Sequence, residues 1–135
     1  MIGLVHLVRA ANRLEPFRAF LDAYRSHPAH IDHELLLLFK GFRNRSQLQA
    51  YQALLHDTPY RALYLADVGF DIGPYAVAAQ RFEHRYFCFL NSFSAPLADG
   101  WLASLYRQLL RPGVGLVGAS GSWESAYTNV LAATV

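Results

Sequence analysis

Apolar residues occur in two different patterns along this chain, as continuous runs and at helical spacing. Residues 2–8 and 35–39 are nearly continuous apolar runs, which are typical of strands that are covered on both faces of a sheet. Residues 14–25 instead place their apolar side chains at helical spacing and leave Arg18, Asp22 and Arg25 on the opposite face. The pattern therefore predicts a strand, a helix and a second buried strand, in that order.

The remaining chain repeats this alternation. The further predicted elements are a helix that Ser46 caps, a strand over 62–65, a helix over 74–82, a strand over 85–90, a helix over 97–110 and a glycine-rich strand over 113–118. Such alternation predicts an α/β fold: a three-layer sandwich of Rossmann-like type, with a mostly parallel central sheet of about five strands. Ligands of such sheets bind at the carboxyl ends of the strands.

Composition narrows the class of protein. The chain has 135 residues, of which 53% are hydrophobic and 16% are charged, so we expect a single folded domain over 1–135 and exclude disorder. One cysteine, Cys88, excludes an internal disulfide. No apolar run approaches the roughly 20 residues of a membrane span, and His6 and Arg9 interrupt the first apolar stretch. We therefore expect no membrane span, no signal peptide and a cytoplasmic location.

The charged residues are scattered. The net charge is +2, and Lys40 is the single lysine among twelve basic residues. The densest basic pair is Arg43 and Arg45, so the sequence has no basic stripe and we expect no nucleic-acid partner. Arginine also binds phosphate groups through two parallel hydrogen bonds, so the composition does not exclude a phosphorylated ligand.

Two patterns resemble known motifs but lack their context. The letters Gly-x-Gly-x-x-Gly at 113–118 match a dinucleotide-binding fingerprint, yet a predicted helix and Pro112 precede them instead of a strand. We interpret these glycines as part of a tightly packed strand. Three histidines recur every third residue over 27–33, but Pro28 prevents a regular helix from aligning them on a metal ion. Cys88 lies within an apolar strand and is interpreted as a core residue.

Polar loops follow the third and fourth predicted strands. Asp67 and Asp71 flank Gly69, where the backbone can approach a ligand closely. Capping of the next helix by Asp71 is an equally good explanation. Asn91 and Ser92 follow the fourth strand and can hydrogen-bond a sugar or a diphosphate, or else form a strand-to-helix turn. Both loops are expected at the same edge of the sheet.

The order of these pieces resembles the nucleotide-sugar half of GT-A glycosyltransferases, particularly the family 2 group and its relatives in polysaccharide synthesis. The first strand of that family ends in a short polar loop, as 8–12 does here, and its second strand ends in a base-reading loop, here 39–42. Its loop of Asn or Asp followed by glycine corresponds to 67–75. Position 91 then follows position 67 by 24 residues, where the family has its metal-binding Asp-x-Asp. The resemblance covers residues 2 to about 125.

The resemblance implies a single glycosyltransferase-like domain that binds a nucleotide-activated sugar. The implied reaction transfers the glycosyl group, with inversion, to an acceptor hydroxyl in cell-surface polysaccharide synthesis. The residues to which it assigns donor binding are Arg9, Ala10, Asn12, Lys40, Asp67, Gly69, Asp71, Asn91 and Ser92.

The sequence departs from the family pattern at the metal site. Asn91, Ser92 and Phe93 include no carboxylate, so no metal ligand is assigned. Mg²⁺ or Mn²⁺ stays a possible cofactor, although the Asp-x-Asp motif that binds it in the family is absent. Arg9 or a helix amino terminus is then expected to neutralise the diphosphate. Family members also continue well beyond this length, with an acceptor-binding part that is missing here. Glu124 is the candidate general base if the chain acts alone.

Three explanations of that missing part stay open: a truncated chain, a donor-binding module that works with a partner subunit, and a half-site that a second copy completes. The alternative function is a non-catalytic GT-A-like scaffold or interaction module that binds without turnover.

Overall fold

The computed structural model describes residues 1–119 of the chain. Its elements, in chain order, are β1 Ile2–Arg9, the 3-10 turn Ala10–Asn12, α1 Leu14–Ser26, β2 His33–Lys40, α2 Arg45–Leu54, β3 Arg61–Leu65, α3 Ile72–Arg81, β4 Tyr86–Leu90 and α4 Trp101–Leu109. The predicted alternation of strands and helices is confirmed through α4. The chain divides into a compact unit Met1–Ala103, which holds the sheet, and a second unit that begins at Ser104.

The four strands form one parallel sheet in the order β3-β2-β1-β4. Ile2 of β1 lies opposite His33 of β2 and opposite Tyr86 of β4, and Leu36 of β2 lies opposite Arg61 of β3. Because every pair is parallel, the strands all end at one edge, the carboxyl edge, and all begin at the other, the amino edge.

Helices cover both faces of the sheet. Alternate side chains of β1 and β2 point to opposite faces, so each face receives its own apolar set. On one face Leu4, Leu35 and Leu37 pack with α1 and α2. On the other face Val5 and Leu36 pack with α3. The α/β class and the three layers are therefore confirmed, and the architecture is compatible with a Rossmann-like fold.

The strand predicted over 113–118 is wrong, and the sheet has four strands in the described chain instead of about five. Gly113 has a φ of +78° in a turn that closes with a bond from the Val114 amide to the Arg111 carbonyl. Apart from each glycine and its two chain neighbours, no heavy atom of the described chain lies within 4 Å of where a Cβ would stand on Gly115 or Gly118. The interpretation of these glycines as tightly packed is therefore also wrong, since open space surrounds them.

The amino terminus of α2 lies two residues before the predicted one. Asn44, not Ser46, caps the helix, because its Oδ1 accepts a hydrogen bond from the Gln47 amide at 3.0 Å. The Gln47 side chain in turn accepts from the Arg43 amide at 2.6 Å. Asn and Ser cap equally well, and the glutamine three residues after Asn44 favours the earlier start.

Candidate functional site

Three charged side chains from three strand ends meet at the carboxyl edge. Arg9 and Lys40 are the last residues of β1 and β2, and Asp67 follows β3 by two residues. Arg9 Nε donates to Asp67 Oδ1 at 3.0 Å and Arg9 Nη2 donates to Oδ2 at 3.2 Å. This two-bond fork fixes the orientation of the carboxylate more firmly than a single contact would.

Asp67 is ionised over an extended pH range. The hydrogen bond from Arg9 is the largest cause that holds the pKa of Asp67 below its usual value, and the charges of Arg9 and Lys40 act in the same direction. The same hydrogen bond raises the pKa of Arg9. Asp67 is therefore a hydrogen-bond acceptor, and not a donor, at neutral pH.

Lys40 is buried and anchors the loop that follows β3. Its side chain is 3% exposed, and its ammonium group donates to the carbonyl oxygen of Gly69 and, at 3.3 Å, to that of Phe70. The ammonium nitrogen also lies 3.8 Å from Asp67 Oδ1. A buried charge requires such partners. Lys40 thus holds the backbone of residues 69–70 in place.

Gly41 allows this close arrangement. Its φ is +80°, and a Cβ at this position would lie 3.0 Å from the Cβ of Asp67. The backbone amide of Gly41 donates to the Leu65 carbonyl at 2.9 Å, which ties the end of β2 to the end of β3. A side chain at position 41 would displace Asp67 from its place beside Arg9.

A cleft of about 370 Å³ lies beside these residues, between the ends of β2 and β3. Its walls include an aromatic group: Phe39 stacks on Tyr64 with centroids 5.5 Å apart, and Phe42 meets Phe39 edge-on at 5.5 Å. We call this space the carboxyl-edge cleft; its lining includes Phe39, Gly41, Phe42, Arg43, Tyr64 and Asp67.

The crevice at the junction of β1 and β4 is much smaller, about 10 Å³. Ligands of α/β sheets often bind at such a junction, where the strand order reverses. Here the crevice is lined by residues that include Asn12, Arg13 and Ser92, and its space fits about one water molecule. The structure thus places its larger carboxyl-edge cavity away from the strand-order reversal.

Asn91 and Ser92 stabilise the turn that follows β4. Asn91 Oδ1 accepts from the Phe93 amide and from the Ser94 hydroxyl, both at 3.0 Å, and the buried Ser92 hydroxyl donates to the Leu7 carbonyl at 2.9 Å. These contacts correspond to the strand-to-helix turn that the sequence left open as an alternative.

The other residues assigned to donor binding are spread along the same edge. Ala10 belongs to the 3-10 turn after β1, and Gly69, with a φ of +68°, lies in the exposed loop after β3. Asp71 precedes α3, but only its backbone carbonyl bonds to the helix, at 3.1 Å from the Tyr75 amide. Asp71 thus stands at the N-cap position of α3, as the alternative explanation has it, but its side chain forms no capping hydrogen bond. Glu124 lies outside the described residues.

The described residues contain no group of three or more His, Cys, Asp or Glu side chains that could hold a metal ion. The histidines of 27–33 have separate partners: His27 lies 3.1 Å from Asp99, and His33 lies 2.8 Å from the Tyr24 hydroxyl. Burial raises the pKa of Cys88 to about 11, so its thiol is protonated at neutral pH. Within residues 1–119 no helix combines the length and the apolar character that crossing a membrane requires.

Tyr64 had no functional signal in the sequence: a strand is predicted over 62–65, but nothing indicates that Tyr64 lies more than half exposed beside Phe39. Arg43 follows the second strand, at an end of the sheet where ligands bind, but its sequence position does not indicate that it lines a cleft with Tyr64. Comparisons of this chain with protein-family models, with curated proteins and with solved structures find no match.

Proposed function

We propose that this chain binds a nucleotide-activated sugar in the carboxyl-edge cleft, in the manner of the nucleotide-sugar half of a GT-A glycosyltransferase. The observation that carries the proposal is an exposed aromatic ring, Tyr64, in one cleft with the guanidinium of Arg43, at the carboxyl ends of a parallel sheet. Nucleotides commonly bind at this end of such sheets.

Tyr64 offers a stacking surface for the base. It is 57% exposed although one side of its ring rests on Phe39 with an interplanar angle of 13°. A ring that is supported from below loses little conformational freedom when a base stacks on it, and such stacking is worth about 1–3 kcal/mol per base. Stacking tolerates every base, so Tyr64 supplies affinity without choosing the nucleotide.

Arg43 and Asp67 complete the polar side of the cleft. The Arg43 guanidinium has no ion pair within the part of the chain that the structure describes and suits the oxygens of a diphosphate. Asp67 is held by Arg9 and is ionised at neutral pH, so it accepts hydrogen bonds from ribose or sugar hydroxyls. The resemblance assigns the same role to Asp71.

In the proposed reaction an acceptor hydroxyl attacks the anomeric carbon from the side opposite the diphosphate. The new carbon–oxygen bond forms as the bond to the diphosphate oxygen breaks, and the nucleoside diphosphate leaves. The hydroxyl proton passes to a base, for which Glu124 is the candidate. Since Asn91 and Ser92 supply no carboxylate, guanidinium groups are assigned to neutralise the leaving diphosphate. The product of the proposed reaction belongs to cell-surface polysaccharide.

Calorimetric titration with UDP-glucose, GDP-mannose and dTDP-glucose tests the donor site, once with Mn²⁺ and once with EDTA. We expect one donor to bind in both conditions. Tyr64→Ala should weaken its binding by about tenfold or more because the stacking surface is lost. Tyr64→Phe is the matched control, since it keeps the ring and should keep the affinity within about twofold.

The outcomes separate the two functions that the sequence left open. Absence of binding by all three donors, or binding that Tyr64→Ala leaves unchanged, contradicts the proposed site. Binding that depends on Mn²⁺ contradicts its metal-free form. Donor binding without release of nucleoside diphosphate, with or without oligosaccharide acceptors, supports the alternative, a non-catalytic binding module.

A further inference from the structure

The amino edge of the sheet carries a second cleft, which the proposed function does not use. Its volume is about 700 Å³, and its lining includes Glu34, Arg61, Arg81, Glu83, His84 and Arg85. We call it the amino-edge cleft. Glu34 and Lys40 lie near opposite ends of β2, so about 20 Å of strand separates this cleft from the carboxyl edge.

Glu34 is already neutralised inside this lining. Its Oε2 lies 2.9 Å from His84 Nε2 and 3.3 Å from Arg61 Nη1. The Arg61 guanidinium also stands over the ring of Phe82, 4.8 Å from its centroid. These contacts place Arg61 and His84 beside Glu34 in the lining, and the positive charge of Arg61 balances the negative charge of Glu34.

His84 has one ring nitrogen without a partner. The His84 side chain is 7% exposed, and its ring lies against Phe87 and against the backbone of Gly3. Its Nδ1 is buried and forms no hydrogen bond within the described chain. Buried polar atoms nearly always have a partner, which is often water or a bound ion. His84 therefore borders the cleft as a buried polar group, held on its other side by Glu34.

The remaining charges of the lining have a positive balance. Arg81 and Arg85 are exposed, and neither forms an ion pair with a carboxylate of the described residues. Arg85 is positioned over the ring of Tyr86 at 5.4 Å. Glu83 is the remaining carboxylate of the lining. Two guanidinium groups against one carboxylate favour an anion, and guanidinium forks match the oxygens of a phosphate group.

We infer that the amino-edge cleft binds a small phosphate-bearing ligand from solution. Arg81 and Arg85 hold the phosphate oxygens, and Arg61 with His84 forms the floor beneath them. The inference is independent of the proposed function, because it concerns the opposite edge of the sheet and shares no residue with the carboxyl-edge cleft.

The test is an NMR titration of the ¹⁵N-labelled chain with inorganic phosphate and with pyrophosphate, at constant ionic strength so that general screening does not change. We expect saturable shifts of the His84 ring and of the Arg85 side chain. The double variant Arg81→Gln/Arg85→Gln should weaken binding tenfold or more, and Glu83→Gln should strengthen it several-fold because it removes a like charge.

The double variant Arg18→Gln/Arg45→Gln is the matched control, since it removes the same charge from exposed positions on α1 and α2. It should leave the affinity within twofold, and an equal loss would show nonspecific attraction instead of a site. Absence of saturable shifts at His84 and Arg85 also overturns the inference. Tyr64→Ala should bind phosphate normally, which separates this site from the proposed donor site.

A lipid headgroup carries the same phosphate chemistry as a free ligand. Cosedimentation with vesicles that contain phosphatidic acid distinguishes the two sources, and we expect none. Cosedimentation that Arg81→Gln/Arg85→Gln abolishes would assign the cleft to a membrane surface and overturn a ligand taken from solution.

Discussion

The two edges of the sheet use their charged residues in opposite ways. At the carboxyl edge Arg9 is engaged with Asp67, and Lys40 is buried against loop carbonyls. At the amino edge Arg81 and Arg85 line an open cleft without ion-pair partners in the described chain. Arg9 and Lys40 are therefore engaged in holding Asp67 and its loop, and the proposed donor site combines Asp67, the aromatic wall and Arg43, which has no ion pair among the described residues. At the amino edge the unpaired guanidinium groups are themselves the proposed binding groups.

The largest expected effect concerns Lys40. Lys40→Met removes a buried ammonium group and leaves the carbonyls of Gly69 and Phe70 without their donor, so we expect a loss of about 2–4 kcal/mol in the free energy of unfolding. Urea denaturation followed by circular dichroism measures it.

Glu34→Gln is the counterpart at the amino edge. Glutamine keeps an acceptor for His84 and Arg61, and Glu34 is partly exposed, so we expect a loss of about 1 kcal/mol. Equal losses of unfolding free energy in Lys40→Met and Glu34→Gln would contradict the view that charges stabilise the fold mainly at the carboxyl edge.

The next prediction concerns the pH dependence of stability, which we expect to come mainly from His6 in the interior of the sheet and not from residues at its two edges. His6 is fully buried in β1, its ring stacks on Phe20 at 3.7 Å, and burial lowers its pKa from 6.5 to about 3. Between those pH values the unfolded chain binds a proton that the folded chain does not. Stability therefore decreases as the pH falls below 6.5, by at most about 1.4 kcal/mol per pH unit.

His6→Leu should abolish most of this dependence and leave stability at pH 7 unchanged or higher, because both ring nitrogens of His6 lack partners in the described chain. Urea denaturation at pH 7 and pH 4.5 measures both effects.

His56→Gln is the control, because it removes a histidine from an exposed position and should leave the pH dependence of stability unchanged. Asp67 affects stability at lower pH than His6. Because Arg9 lowers the pKa of Asp67 in the folded chain, the ionised carboxylate stabilises the fold above the usual pKa of aspartate, and this stabilisation is lost as the pH falls through the lowered pKa. If the unfolding free energy of His6→Leu still decreased with falling pH as steeply as that of the unsubstituted chain, the sensitivity to acid would come from the charged residues at the two edges of the sheet and not from His6.

A smaller effect is expected at the joint between β2 and Asp67. Gly41→Ala forces a positive φ on a residue with a Cβ and brings that Cβ against Asp67, so we expect a loss of about 1–2 kcal/mol. Gly73→Ala is the matched control because Gly73 lies in α3 with open space around it. It should stabilise the fold by about 0.5–1 kcal/mol. Calorimetric melting of the two variants compares them, and similar losses in both would argue against the contact with Asp67.

The smallest expected effect on stability accompanies a clear effect on binding. Asp71→Asn alters an exposed side chain, so the melting temperature should change little, and Asp67→Asn should lower it slightly because it also removes the ion pair with Arg9. Donor affinity in the calorimetric titration should fall at least tenfold in each variant, because an acceptor for sugar hydroxyls is weakened. Unchanged affinity would remove these residues from the site and leave the aromatic wall and Arg43 as its support.

Sequence pattern predicted most of the fold because its signals were strong and local. The apolar runs 2–8 and 35–39 became the two central strands, and the helical spacing over 14–25 became α1. The pattern failed at 113–118, where Val114, Leu116 and Val117 suit a strand but no strand of the described chain pairs with them. Whether such a segment joins a sheet depends on a neighbour, which local pattern does not contain.

The candidate sites were predictable only in part. The polar loop with Asp67 and Asp71 could be placed at the carboxyl edge because parallel strands end together. The burial of Lys40 and the engagement of Ser92 with Leu7 could not be predicted, since each depends on a backbone carbonyl from a distant segment. The grouping of Glu34, Arg61 and His84 has no sequence signal at all.

The amino-acid sequence by itself determined the class of the fold, its layers and its buried strands, because periodicity and apolar runs act over a few neighbouring residues. Only the tertiary structure decided which charges are consumed in building loops and which face an open cleft. Parallel pairing brings together residues that lie dozens of positions apart, and their distances and burial depend on that pairing.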